Sequence, residues 1–155
     1  MELRHQVIIV GGGPVGVALA VELGLRGISC ALVERHLIPQ RIPKGQNLTQ
    51  RSLEHFYFWG IADELRAARL LPAGYPIGGI TAYGDLMSEY WYAPQGRESV
   101  RSYYFQDNDR LPQYLTEEVL RTRMAGLPNV KCLFGWSADN IEQDDQGVRV
   151  TIAEV

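Results

Sequence analysis

The chain opens its first apolar run at Val7 and holds it unbroken to Val10, then shifts to apolar positions at helical spacing from Pro14 to Arg26. Four β-branched residues in a row predict a strand buried on both faces of a parallel sheet. Gly27 stands where such a helix needs its C-terminal stop, and Ser29 to Val33 is a second strand-like run. Together these segments predict a βαβ unit with a right-handed crossover. Arg35 to Leu48 carries Pro39, Pro43 and Gly45 without a period, which predicts an ordered loop of a length that usually serves a function.

Helical spacing returns in "TQRSLEHFYFWG", where Thr49 is placed to cap, Leu53, Phe56 and Tyr57 form an apolar face and Gly60 closes the helix. A shorter helix, Ile61 to Leu70, follows. Residues 72–105 change character: Gly74, Gly78, Gly79, Gly84 and Gly96 punctuate the runs "GGITAY", "EYWYA" and "VRSYYF", which predicts an antiparallel strand excursion. From Pro112 the apolar positions Leu115, Val119, Leu120 and Met124 predict a further helix, and "NVKCLFG" a buried strand. Val148, Val150 and Ile152 then alternate after a turn, as in one strand of a hairpin.

Composition narrows the function classes. The 155 residues are 46% hydrophobic and carry a net charge of −3, so a basic nucleic-acid footprint is missing. No apolar run approaches the ~20 residues that span a bilayer, and "MELRHQVIIV" lacks the core and cleavage site of a signal peptide. The expectation is a cytoplasmic protein that binds neither nucleic acid nor membrane. Cys30 and Cys132 each lie in an apolar run, fitting reduced thiols, and His5, His36 and His55 lack metal-ligand spacing. No Ser/His/Asp set and no paired carboxylates point to hydrolysis.

The chemistry concentrates in "VIIVGGGPVGVALAVELGLRGISCALVER". A dinucleotide pyrophosphate needs backbone N–H groups at a helix N-terminus and no side chain in its way, and Gly11, Gly13 and Gly16 have that spacing. The motif gains weight from its setting between strand and helix, and from Ala20, Leu23 and Gly27 at helix–sheet packing positions. Glu34 follows about 20 residues on, where a carboxylate accepts both hydroxyls of an adenosine ribose and repels a 2′-phosphate. The alternative is a tight structural turn with an unrelated surface glutamate. With Glu34 in place the ligand is FAD or NAD rather than NADP, and the glycines alone do not choose between those two.

The order "GGGPVG", Glu34-Arg35, "PKGQNLTQRSLEHFYFWGI", "LPQYLTEEVL" and "EQDDQGVRVTI" resembles the FAD-dependent aromatic hydroxylases, single-component flavoprotein monooxygenases of the p-hydroxybenzoate hydroxylase fold. The likeness runs through essentially all 155 residues. It implies an α/β fold: a Rossmann-like βαβ FAD-binding domain with an antiparallel β excursion, in which approximately 72–110 is an inserted strand-rich segment toward the substrate domain. Family members run longer, and their Asp-Gly and Gly-Asp signatures are expected beyond Val155, so the domain is expected to be incomplete at its C-terminus and not competent alone.

By position, the resemblance puts Gly11, Gly13, Pro14, Val15 and Gly16 on the pyrophosphate and Glu34 with Arg35 on the adenosine. Lys44 stands where relatives usually carry an arginine, replacing a planar fork with a point charge. Gly45, Gln46 and Asn47 would follow the flavin edge. Arg51 and Gln113 match cofactor-lining positions, with a helix-surface arginine and a helix-start polar residue as equally good readings. The aromatic residues Tyr90, Trp91, Tyr92, Tyr103, Tyr104 and Phe105 fit sheet packing better than a substrate pocket.

The implied activity is hydroxylation of a small phenolic or heteroaromatic substrate through a C4a-hydroperoxyflavin, with FAD resident, NADH or NADPH as transient reductant, molecular oxygen as co-substrate, and a homodimer in the longer form. Flavin epoxidases, halogenases and reductases share the fold. A non-catalytic FAD- or ADP-binding module is the alternative from another class.

Overall fold

The structure is a computed structural model that describes residues 3–42, 44–72, 78–82, 90–94 and 97–155, with backbone alone for 78–82, 90–94, 97 and 98. Strand β1 (Val7–Val10), helix α1 (Pro14–Leu25) and strand β2 (Cys30–Glu34) form the expected βαβ unit. Its two strands pair in parallel, with Val7 opposite Cys30 and Val10 opposite Val33. The chain continues through β3 (Asn47–Leu48), α2 (Gln50–Phe58), α3 (Ala62–Ala67), β4 (Gly78–Ala82), β5 (Tyr90–Pro94), α4 (Arg97–Val100) and β6 (Asp109–Arg110). Helix α5 (Gln113–Ala125) then leads into β7 (Val130–Phe134), which joins the other side of β2 in parallel. The hairpin β8 (Trp136–Asp144) and β9 (Gly147–Glu154) completes the order.

The central position of β2 explains its sequence. Cys30 to Val33 are buried, whereas β1 lies at the sheet edge with only Ile9 buried and Val10 53% exposed. The β-branched run at Val7 to Val10 is therefore covered on one face, with Val7 and Ile9 packed on the core and Ile8 and Val10 exposed, rather than on the two faces the pattern predicts. Helix α1 lays Val17, Ala20 and Val21 on the sheet, and α5 packs beside it through Leu120 and Met124. Helix α1 comes closest to β7 and the turn before it at Gly24, where a Cβ would sit 2.7 Å from Val130 and 2.8 Å from Leu127, and not at Gly27, which takes the left-handed turn that ends the helix. Burial pushes the thiols of Cys30 and Cys132 up, and both are free.

Thr49 caps α2 through a hydrogen bond from the Ser52 N–H to its Oγ1 at 3.3 Å. On this helix Leu53 and Phe56 enter the core with Trp59, while Tyr57 stays outside and meets Phe105 edge to face at 5.3 Å between ring centres. Trp59 also donates its indole N–H to Glu22 at 2.6 Å, tying α2 to α1.

The strand excursion holds for "GGITA" and "YWYA", whose β4 and β5 pair antiparallel from Gly78 opposite Pro94 to Ala82 opposite Tyr90. "VRSYYF" departs from it: Arg101–Tyr103 is a 3₁₀ turn that follows α4. Tertiary contacts override the strand propensity of its aromatics. The Phe105 N–H donates to the buried Glu54 carboxylate at 3.2 Å, and Tyr104 lies beneath the Arg51 guanidinium, so this backbone is drawn to α2 rather than to a sheet. Gly74, Gly84, Gly96 and the side chains of Tyr90, Trp91 and Tyr92 lie outside the described residues. Among the described residues no helix is long and apolar enough to cross a membrane.

Candidate functional site

A cleft of about 470 Å³ opens where β1 and β2 end, between the glycine turn, the loop after β2 and the inner face of α5. Of the residues singled out in the sequence, Gly11, Gly13, Glu34, Arg35, Lys44 and Gln113 line it.

The glycine turn is built by contacts that demand its residues. The Gly11 N–H donates to the Val33 carbonyl at 2.8 Å, fixing the end of β1 to β2. A Cβ on Gly16 would fall 1.9 Å from the Gly11 carbonyl oxygen, so helix and strand meet here only through glycine. A Cβ on Gly13 would meet nothing within 4 Å: its bareness serves space in front of the helix. Pro14 opens α1, no side chain caps the helix start, and its first turn carries no acid. The first-turn N–H groups of Val15 and Gly16 thus have no acceptor within the helix, at the positive end of its dipole.

Glu34 closes β2 opposite this turn. Its two oxygens accept from the Gly12 N–H at 2.6 Å and the His36 N–H at 2.7 Å. Burial works to raise this carboxyl, but those two N–H groups, backed by the His36 and Arg121 charges, outweigh it and hold the group below the usual carboxylate range. It is an ionised acceptor at neutral pH, with lone pairs left beyond the two already engaged.

The far wall comes from the loop at residues 44–46 and α5. The Leu111 N–H donates to the Gln46 carbonyl at 2.8 Å and the Gln113 N–H to the Gly45 carbonyl at 2.9 Å, which brings Lys44 and Gln113 to one wall. Asn47 belongs to β3, paired with Arg110. Arg51 is not among the residues lining this cleft: it pairs with the buried Glu54 of α2 at 2.8 Å.

Among the lining residues that escaped the sequence reading are Arg121 and Glu117. Arg121 donates to the Leu37 carbonyl at 3.0 Å and the Gly12 carbonyl at 3.3 Å, and stacks 4.3 Å above the Phe134 ring centre. It clamps the glycine turn to the loop after β2. Glu117, 6% exposed, lies one turn earlier and holds the Gln113 amide. The signal available in the sequence was the repeat of polar residues at 113, 117 and 121, four apart on one helix face.

An acid anchored at the end of the second parallel strand, facing an uncapped helix start, is the arrangement of a dinucleotide-binding domain. Residues 4–155 match the family described as FAD binding domain, and the chain belongs to that family. Over 151 residues it is 33% identical to 3-(3-hydroxy-phenyl)propionate/3-hydroxycinnamic acid hydroxylase 2 of Burkholderia vietnamiensis (strain G4 / LMG 22486), covering 96% of this chain and 26% of that protein. It is 29% identical over 148 residues to the rifampicin monooxygenase of Streptomyces venezuelae, covering 96% of this chain and 28% of the relative. Its fold superposes on the flavin-dependent monooxygenase PieE, solved with FAD and substrate, with a TM-score of 0.81 and 28% identity over 97% of this chain and 27% of that one. The chain spans about a quarter of the length of the curated relatives it matches. The family decides between the two dinucleotides left open by the glycines in favour of FAD.

Proposed function

We propose that the cleft holds the ADP half of FAD and that the chain serves a flavin-dependent monooxygenase acting on a phenolic or heteroaromatic compound, with NADH or NADPH as reductant and oxygen as co-substrate. The observation that carries it is the Glu34 carboxylate, fixed by Gly12 and His36 beside the open space at Gly13. The residues fit the group. Glu34 offers acceptors to a ribose, the uncapped start of α1 offers N–H groups to a diphosphate, and Lys44 adds a cation to the same cleft.

Each residue has a separable task. Glu34 orients the ribose and disfavours a 2′-phosphate. Gly11 and Gly16 let the turn close, and Gly13 leaves room for phosphate oxygens. Pro14 and Val15 set the first turn of the helix. Arg35 and Lys44 supply positive charge at the rim, while Gln46 and Asn47, at the start of β3, border the path from diphosphate to flavin. Arg51, ion-paired on α2, serves the packing of residues 104 and 105. Bound FAD would supply the redox chemistry that activates oxygen. The strand-rich segment at 72–110, with its β4–β5 ribbon, leads toward the part of the protein that receives substrate.

Relatives named for hydroxyphenyl-propionate and hydroxycinnamate hydroxylation support phenolic acids as the first compounds to try. The test is aerobic oxidation of NADH or NADPH by the FAD-loaded full-length protein, with and without a panel of hydroxylated phenylpropanoids. Substrate-stimulated oxidation with formation of a hydroxylated product supports the proposal. Tight FAD binding with no turnover on any phenol would favour the non-catalytic module.

A further inference from the structure

The loop after β2 holds three aliphatic residues in water within a short stretch: Leu37, Ile38 and Ile42 are 72%, 70% and 81% exposed. A lone exposed aliphatic needs no explanation, whereas three together form a patch. Helix α5 fixes them there. The Leu37 carbonyl accepts from Arg121 at 3.0 Å, and the Arg41 guanidinium lies 5.9 Å from the Tyr114 ring centre. The Leu37 side chain also rests on the turn between β7 and β8, where a Cβ on Gly135 would meet its Cδ2 at 3.1 Å. Pro39 locks a backbone angle between the two tethers, so the loop presents Ile38 and Ile42 to solvent instead of folding them inward.

The charge around this patch is of one sign. From residue 35 to residue 53 the chain has no acid, while Arg35, Arg41 and Lys44 flank the aliphatics. Among the described residues none of these three is ion-paired. A second groove, of about 410 Å³, shares the loop with the cleft but not the glycine turn, and it brings Arg35 and Arg41 together with Leu37, Ile38 and Pro39. We infer that residues 37–42 dock the protein on an anionic membrane surface, with Ile38 and Ile42 entering at headgroup depth and Arg35 and Arg41 meeting the lipid phosphates. Bases beside exposed aliphatics fit that boundary, where headgroups take the cations and the acyl region takes the apolar side chains. A bilayer receives such side chains without a matching shape, which suits residues that stand in solvent rather than in an enclosed pocket.

The expectation of no membrane contact came from the length of apolar runs, which tests only for crossing a bilayer. Lying on one needs no such run. The inference is also independent of which nucleotide fills the cleft. Co-sedimentation of the FAD-loaded full-length protein with lipid vesicles tests it. Partitioning onto phosphatidylcholine vesicles containing about one-third phosphatidylglycerol is expected to exceed that onto pure phosphatidylcholine at least tenfold, and to fall as salt is raised. Ile38→Ser with Ile42→Ser should lower partitioning about tenfold, and Arg41→Gln about fivefold, the latter being the loss of one base near the surface. Both variants should melt within a few degrees of native, since the side chains they change are exposed.

Equal partitioning onto the two kinds of vesicle, or none onto either, would overturn the inference. Native binding by the serine double variant or by Arg41→Gln would overturn it as well, by placing the contact elsewhere on the protein. Sedimentation velocity without lipid closes the remaining route: a dimer that the serine double variant dissolves would assign the patch to a second copy of the chain and overturn the membrane reading.

Discussion

The carboxylate of Glu34 accepts a hydrogen bond from the Gly12 N–H at 2.6 Å, joining the last residue of β2 to the turn that precedes α1. One contact thus fixes both the acid and the glycine turn. The second oxygen is pinned by His36, so the carboxylate cannot rotate away from a ligand in the cleft.

Glu34→Gln keeps the shape but presents an NH₂ where one of two N–H donors now finds an oxygen. FAD affinity is expected to fall by roughly 1.5–3 kcal/mol, the range for hydrogen bonds to a charged group. Isothermal titration calorimetry of both proteins checks it, and equal affinities would show that the acid does not reach the ribose.

The pH dependence has a definite sign. The folded carboxyl of Glu34 titrates below its ordinary value of 4.5, so its stabilisation is complete above that value and is lost as pH falls through the lowered one. Glu22, lowered by the Trp59 indole and Arg26, adds to the same acid limb. Comparing melting temperatures of native and Glu34→Gln protein isolates Glu34: the gap between them should be open at neutral pH and close in acid. A gap constant across the range would contradict this account.

Two glycines of the turn are expected to fail differently. Gly13→Val fills open space, so the fold should melt within a few degrees of native while FAD and ADP binding are lost. Gly16→Ala drives a methyl into the Gly11 carbonyl and should unfold the βαβ unit. Circular dichroism melts beside a flavin titration distinguish them, and a Gly13→Val protein that still binds FAD would show that the diphosphate lies elsewhere.

Arg121→Met keeps the aliphatic stem and removes both donors to Gly12 and Leu37. Leaving two carbonyls without their charged partner is expected to cost about 1.5–3 kcal/mol of stability and to weaken ADP binding through the loosened turn. Lysine should rescue little, since one ammonium cannot copy the fork that spans both carbonyls. Urea unfolding measures the stability, and a loss under about 0.5 kcal/mol would remove the clamp from the account.

The βαβ unit was legible because its signals agree locally: the apolar run, the glycine turn, the helical period and the stop at Gly27 all fall in the right order. The acid at Glu34 could be read for the same reason, since its distance from the turn is set by one helix and two loops. Arg101–Tyr103 was not legible, because Tyr104 and Phe105 take their conformation from Arg51 and Glu54, some fifty residues earlier in the chain. Whether one face of β1 or both is covered depends on what packs against the sheet, which an unbroken apolar run does not show. Glu117 and Arg121 look like the solvated side of a helix in sequence. Only the placement of α5 against the glycine turn turns that side inward.

The most direct test of the central claim is displacement of FAD from the purified protein by adenine nucleotides. The cleft is read as an adenosine site with a carboxylate on the ribose, so ADP should compete with FAD, whereas adenosine 2′,5′-bisphosphate should not, its 2′-phosphate meeting Glu34. Competition by ADP alone is the result this structure predicts. Displacement by the 2′-phosphorylated nucleotide as readily as by ADP, or failure of ADP to displace FAD, would contradict it.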